Sequence, residues 1–249
     1  MKKSNKKNSS QVYDVVYGSH AVIEMLKAKR RKLISIYTIK PLPKIWDKVK
    51  KHFPKRVANI QYVSKDALTR MAGSEEHNGI VALVSPFIFS KTIFDSKKKP
   101  FILLLDGIQD VRNLGAILRT AYCVGVDGVV ICKKGGASIS PAVFKTSAGL
   151  AEYLNIYQAP SINSAIFQLK QAGYNFYMSV LNNGKNALEV EYKSPICLVI
   201  GNEAVGISKE IAKKGELITL PQVRKDISYN ASVATGILIF VAFHKSNLK

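Results

Sequence analysis

The chain has 249 residues, 47% apolar and 22% charged, which excludes a wholly disordered polypeptide, a collagen-like repeat and a disulfide-stapled miniprotein. Its 37 Lys and Arg stand against 17 Asp and Glu, a formal net charge of +20; this exceeds what solubility needs and points to a polyanionic partner. The excess is uneven: residues 1–60 carry 16 basic and 3 acidic side chains (+13), residues 101–249 only 15 against 10 (+5).

Residues 1–11 begin MKKSNKKNSS, with four Lys and no apolar residue after Met1. They read either as a disordered basic arm that condenses on phosphates or as a solvated tail. From Val12 to Phe87, YGSHAVIEMLKAKRR, LISIYTIK, PKIWDKVKKHF, ANIQYVS, KDALTRMA and GIVALVSPF predict helix, strand, helix, strand, helix, strand. In the first helix Ala21, Val22, Met25, Leu26 and Ala28 form the apolar side. Lys27, Lys29, Arg30 and Arg31 are expected to leave it for solvent and to meet RNA phosphate if the polyanion is RNA. This small α/β module spans residues 12–87, and IFSKTIFDSKKK (88–99), closed by Pro100, reads as a linker.

FILLLDG restarts the alternation as a continuous apolar run, the pattern of a parallel strand covered on both faces. Further strands are expected at GVVIC, NFYMSV, PICLVIG and ELITLP, so residues 100–249 read as a doubly wound α/β domain with its ligand site beyond the carboxyl ends of the strands. No apolar run approaches the roughly 18–20 residues of a membrane span, and the N-terminus lacks the apolar core of a secretory signal, which points to the cytoplasm. Cys123, Cys132 and Cys197 lie in or beside apolar stretches without CxxC spacing and are expected to be buried free thiols. His20, His52, His77 and His244 are scattered with no HExxH, so no metal site is expected.

Three strand ends carry unusual loops. In LLLDGIQDVRNLGAILRTAYCVG, Asp110 or Asn113 can cap a helix, and Arg119, four residues beyond Gly115, either passes over that glycine toward the strand ends or is an ordinary surface arginine. In CLVIGNEAVGISKEI, Gly201 and Gly206 bracket Asn202 and Glu203, and Ser208 can cap the next helix. The Lys and Ser/Thr of a phosphate loop do not follow the second glycine, so an NTPase is rejected, and the lack of a G-x-G-x-x-G after any predicted strand weakens a dinucleotide-binding reading. In ITLPQVRKDISYNASVATGILIFVAF, Ser228 or Asn230 can cap a final Ala/Gly-rich helix suited to close packing on a second chain.

Together DGIQDVRNLGAILRTA, VIGNEAVGI and LPQVRKDISYNASVATGI resemble the SpoU/TrmH family of RNA ribose 2′-O-methyltransferases in the SPOUT superfamily. YGSHAVIEML and HNGIVALV are similar to the ribosomal-protein-like substrate-binding domain of the branch acting on large-subunit ribosomal RNA. The resemblance implies an α/β-knot catalytic domain with a deep trefoil knot, S-adenosylmethionine as cofactor, and a homodimer in which residues of both chains complete the site. It places Asn113, Arg119, Glu203, Ser228 and Asn230 on functional positions and Gly201, Leu220 and Tyr229 against the cofactor. The sequence departs from the family pattern at Asn202, Tyr229 and Ala231, and the charged QVRKDI run offers Arg224 and Lys225 to RNA.

The function expected is 2′-O-methylation of a guanosine in large-subunit (23S) ribosomal RNA. The alternatives are the same chemistry on transfer RNA, a non-catalytic RNA-binding protein of this fold, and a nucleotide-utilising metabolic enzyme, which leaves the N-terminal charge without a role. A guanidinium is too basic to act as a simple base at neutral pH, so Arg119 is more easily assigned to holding a phosphate or stabilising an alkoxide.

Overall fold

The computed structural model describes residues 13–55, 59–224 and 226–246. The chain divides into two compact units, Met1–Ile88 and Phe89–Lys249; the basic arm and Lys225 lie outside the described residues.

The first unit runs β1 (Asp14–Tyr17), α1 (Ser19–Ala28), β2 (Leu33–Thr38), α2 (Trp46–Lys50), β3 (Asn59–Tyr62), α3 (Lys65–Ala72) and β4 (Ile80–Val84). The alternation expected from the pattern is present, preceded by β1, whose four residues are too few to show a period. The sheet order is β1-β4-β2-β3, with β4 antiparallel to both its neighbours and β2 parallel to β3. Strand alternation sorts the side chains onto two faces: Val15, Tyr17, Tyr37 and Val81 pack with Leu68, Met71 and Ala72 of α3. The opposite row of Val16, Ile36, Ile80, Ala82 and Val84 is fully buried. Ser64 caps α3, its Oγ accepting from Ala67 N at 3.2 Å.

Arg31 corrects a sequence expectation. Instead of reaching solvent, its side chain is 1% exposed, with Nη2 2.8 Å from Asp14 Oδ2 and Nε donating to the Ser85 carbonyl at 2.8 Å. Helix α1 stops at Ala28, and Lys29 takes a left-handed φ of 53°. The reversed chain carries residue 31 to the start of β1 and the end of β4, off the helix face. Asp14 Oδ2 also accepts from Phe87 N at 2.8 Å, so one carboxylate ties both ends of the unit's chain to Arg31. Lys27 and Lys29 are exposed, Lys27 pairing with Glu24 at 2.8 Å.

The second unit is built on β5 (Phe101–Leu105), α4 (Val111–Val124), β6 (Gly128–Cys132), α5 (Pro141–Thr146), β7 (Ile156–Ala159), α6 (Ile162–Gln171), β8 (Asn175–Ser179), β9 (Lys185–Asn186), β10 (Ile196–Ile200), α7 (Lys209–Ala212), β11 (Glu216–Thr219) and α8 (Ala231–Lys245). Its seven strands are all parallel in the order β7-β6-β5-β10-β8-β11-β9. Strands β5, β6 and β10 are buried along their whole length, as their unbroken apolar runs require. One face packs Ile102, Leu104, Val130, Val199 and Met178 against Ala165, Ile166 and Leu169 of α6 and Ile211 of α7. The other carries α4 and α8, which pack on each other, with Phe101 and Phe243 stacked at 6.2 Å. Phe94, in the stretch read as a linker, lies in this core. Gly128 makes room for it, since a Cβ there would sit 2.5 Å from the ring. Cys132 and Cys197 are buried as expected, but Cys123 is exposed, because the face of α4 that holds it turns away from the sheet.

Strand order reverses beside β5, whose neighbours β6 and β10 lead in opposite directions along the sheet. Such a switch point opens a crevice beyond the strand ends. Replacing Arg31 with Ala leaves Asp14 without its buried partner and is expected to cost about 2 kcal/mol; the urea midpoint of Arg31→Ala against the unaltered protein measures it.

Candidate active site

The first loop leaves β5 at Asp106, whose N–H donates to the Ile200 carbonyl of β10 at 2.8 Å, and turns through Gly107 at φ 78°. Burial raises the Asp106 carboxyl above its ordinary range. Asp110 caps α4, accepting from Arg112 N at 2.8 Å, which releases Asn113 from the capping role. Asn113 is buried in the first turn, where its Nδ2 donates to Glu203 Oε1 at 3.3 Å and its Oδ1 accepts from Asn230 Nδ2 at 3.1 Å.

The second loop follows β10. Glu203 also accepts from the N–H groups of Gln109 at 3.2 Å and Asp110 at 3.4 Å. Its carboxylate therefore binds the second loop to the first, where helix α4 begins and backbone donors favour an anion. Asn202 does related work: Nδ2 donates to the Gly107 carbonyl at 2.7 Å, and Oδ1 accepts from Ala204 N and Val205 N. Gly201 has no space for a side chain, because a Cβ would overlap the Gly206 carbonyl carbon and Ile207 N. Ser208 caps α7, its Oγ accepting from Ile211 N at 3.3 Å.

The third loop ends at Asn230, not Ser228, as the cap of α8; its Oδ1 accepts from Ser232 N at 2.9 Å and Val233 N at 3.4 Å. Both ends of its carboxamide are thus committed, one to the helix and one to Asn113. Gln222 spans the loop, donating to the carbonyls of Arg224 and Ile227, and Tyr229 donates from its hydroxyl to the Pro221 carbonyl at 3.4 Å.

Between the second and third loops lies a pocket of about 330 Å³, within the size range of small-molecule sites. Gly201, Glu203, Leu220, Ser228 and Tyr229 line it, together with Ser179 at the end of β8 and with Asn202 and Gln222, which sequence reasoning did not assign to the site. Among its described lining residues the one charged side chain is Glu203 and none is Lys or Arg. A phosphate-bearing cofactor would find no cation there, whereas a ligand carrying positive charge and apolar surface suits the lining.

Arg119 is exposed on α4 and lines no part of this pocket; neither a hydrogen bond nor an ion pair engages it among the described residues. Gly115 is not an open track for it, since a Cβ there would lie 2.6 Å from Thr146 Cβ and 3.1 Å from Ser147 N; the glycine serves the packing of α5 on α4. Ser228 and Arg224 are exposed. Burial and the charge of Asp106 push the Cys132 thiol up to about 12, and burial alone raises Cys197, so neither supplies a thiolate nucleophile. No group of His, Cys, Asp and Glu able to hold a metal occurs among the described residues.

The SpoU rRNA Methylase family model matches residues 100–240, and the model for RNA 2′-O ribose methyltransferase substrate binding matches residues 15–89. YacO of Bacillus subtilis (strain 168), whose name places it with TrmH family tRNA/rRNA methyltransferases, is 32% identical over 96% of this chain and 98% of its own. Among solved structures, an AdoMet-bound rRNA methyltransferase from Sinorhizobium meliloti shares the fold at a TM-score of 0.78 and 22% identity, covering 93% of this chain and 87% of that one. An RNA 2′-O ribose methyltransferase shares it at 0.83 and 21%, covering 97% and 92%. The chain belongs to the SpoU/TrmH family of S-adenosylmethionine-dependent RNA methyltransferases.

The loop network has a direct test. Asn113→Asp sets a second carboxylate against Glu203 and is expected to destabilise by about 1–3 kcal/mol, while adding Glu203→Gln restores a donor and acceptor pair. A double-mutant cycle from chemical denaturation should give a coupling above about 1 kcal/mol; additive effects would dissociate the two side chains.

Proposed function

We propose that this protein methylates the 2′-hydroxyl of a guanosine ribose in large-subunit ribosomal RNA, using S-adenosylmethionine held in the pocket between the second and third loops. The observation that carries the reading is that pocket, a glycine-walled cleft with one carboxylate and no cation among its described lining residues, which suits a sulfonium-bearing amino acid better than a nucleotide phosphate. Bound there, the cofactor would supply a methyl group on a good leaving group. Gly201, Leu220, Ser228 and Tyr229 line this cleft and would hold the cofactor, the glycine by allowing close approach to the backbone and Leu220 and Tyr229 by apolar surface.

The chain's own contribution is alignment and charge. A ribose hydroxyl attacks slowly until its proton departs, so placing it in line and stabilising the emerging alkoxide are the useful acts. Arg119 is available for this because no partner engages it among the described residues, and a guanidinium holds a phosphate and an alkoxide without needing to lose a proton. Asn113, Glu203 and Asn230 act as positioning residues: their polar atoms are spent on one another and on the loop backbone.

The same reading includes a homodimer, a trefoil-knotted C-terminal segment and a cytoplasmic location. Exposed Tyr229, Val233, Ile237 and Phe240 give the start and outer side of α8 an apolar surface suited to a second copy, which would bring another chain's residues to the pocket rim. No helix among the described residues is long and apolar enough to cross a membrane. The N-terminal unit, with exposed Lys27 and Lys29 and half-exposed Arg30, would engage RNA, with Arg224 near the pocket. Arg31 is withdrawn from that role, and Lys225 is proposed for it on sequence alone. The match of residues 15–89 to a model for RNA 2′-O ribose methyltransferase substrate binding supports a role for this unit in holding RNA.

Labelled methyl from S-adenosylmethionine should appear as 2′-O-methylguanosine in unmodified large-subunit ribosomal RNA; label in transfer RNA instead would move the substrate, and none in either would refute the reading. Arg119→Ala should abolish transfer while calorimetry finds cofactor affinity within a few-fold. Phe240→Glu should shift the protein from dimer to monomer by light scattering.

A further inference from the structure

The pocket presents no cation among its described lining residues, while Asp106, Asp110 and Glu203 gather three carboxylates at the adjoining strand ends. An RNA backbone arriving there needs positive charge from a neighbouring element. The loop from β6 to α5, Lys133-Lys134-Gly135-Gly136, has that charge and lies against the first loop. Ala137 N donates to the Ile108 carbonyl at 2.7 Å. A Cβ on Gly136 would be 3.3 Å from that same oxygen, and one on Gly107 would be 3.6 Å from the Gly135 carbonyl and 3.5 Å from Asn202 Cβ. The first loop therefore touches both Asn202 and the two glycines.

Gly135 takes a left-handed φ of 85°, which favours glycine, and a Cβ on Gly136 would press on the Ile108 carbonyl, so this close backbone contact is made easiest by the glycine pair. It fixes the two lysines beside the loop that anchors Glu203 and α4. Both are exposed, and neither side chain has an ion-pair partner among the described residues. By contrast, Lys27, on the surface the charge pattern singles out, is held by Glu24.

We infer that Lys133 and Lys134 form a phosphate clamp for substrate RNA at the edge of the catalytic loops, holding the backbone next to the target ribose. The inference rests on the reading of this protein as an RNA methyltransferase and adds to it a substrate contact in the catalytic unit. Lysine suits the task as a point charge on a flexible stem, which tolerates any nucleotide sequence.

The test compares the full-length protein with Lys133→Ala/Lys134→Ala and Lys133→Arg/Lys134→Arg, using ribosomal RNA and steady-state methyl transfer across a salt series, with filter retention for RNA binding. The Ala pair is expected to raise KM for RNA about fivefold or more at low salt, to leave kcat and the calorimetric S-adenosylmethionine affinity within twofold, and to flatten the log–log salt slope by about 1 to 2. The Arg pair should restore KM and slope. Unchanged KM and slope in the Ala pair would overturn the clamp, and so would a fall in kcat alone, which would assign the loop to holding catalytic geometry. Should the unaltered protein bind RNA yet transfer no methyl, the catalytic reading falls, and the salt slope still decides the lysine contact.

Discussion

The catalytic unit depends on one carboxylate satisfying donors from a loop that begins far away in sequence. Glu203 accepts from Gln109 N, Asp110 N and Asn113 Nδ2, and Asn113 passes the constraint on to Asn230. Three loops that follow different strands are thereby held in one arrangement, and the helix that carries Arg119 starts from it. Asn113 is buried, and a buried amide is costly when unpaired, so it fixes the rotamers of the Glu203 and Asn230 side chains that satisfy it. The result is a preorganised rim around a cleft whose described lining has a single charged side chain, Glu203.

Charge is divided in keeping with that arrangement. The cleft's described lining has only Glu203 as a charged side chain, while exposed cations lie outside it at Arg119, Lys133 and Lys134 and in the N-terminal unit. A positively charged small ligand and a polyanion make opposite demands on a surface, and keeping the cations out of the cleft's described lining meets both. Arg31 shows that not every cation belongs to this division, since its guanidinium closes a structural junction between the two ends of the first unit.

The fold class and most strands were legible because buried parallel strands write themselves as apolar runs: FILLL, GVVIC and ICLVI are such runs and are buried throughout. The strands that escaped notice, DVVY, IYQA and KN, are short and lack the continuous apolar run that marks the central strands. The caps show the same limit. Asp110 against Asn113, and Ser228 against Asn230, are equivalent choices by residue type, and only the folded backbone shows that Asp110 and Asn230 are the caps.

By itself the sequence determined the alternation of elements, the uneven charge, the three loops and the family they mark, because each is written in local order and composition. Only the tertiary structure decided that Asn113, Glu203 and Asn230 form one network, that Gly115 serves helix packing, that Arg31 is buried, and that Gly135 and Gly136 lie against Gly107 and Ile108. The physical reason is that these are contacts between residues distant in the chain. Hydrogen-bond geometry and excluded volume between such residues exist only once the strands have taken their order in the sheet.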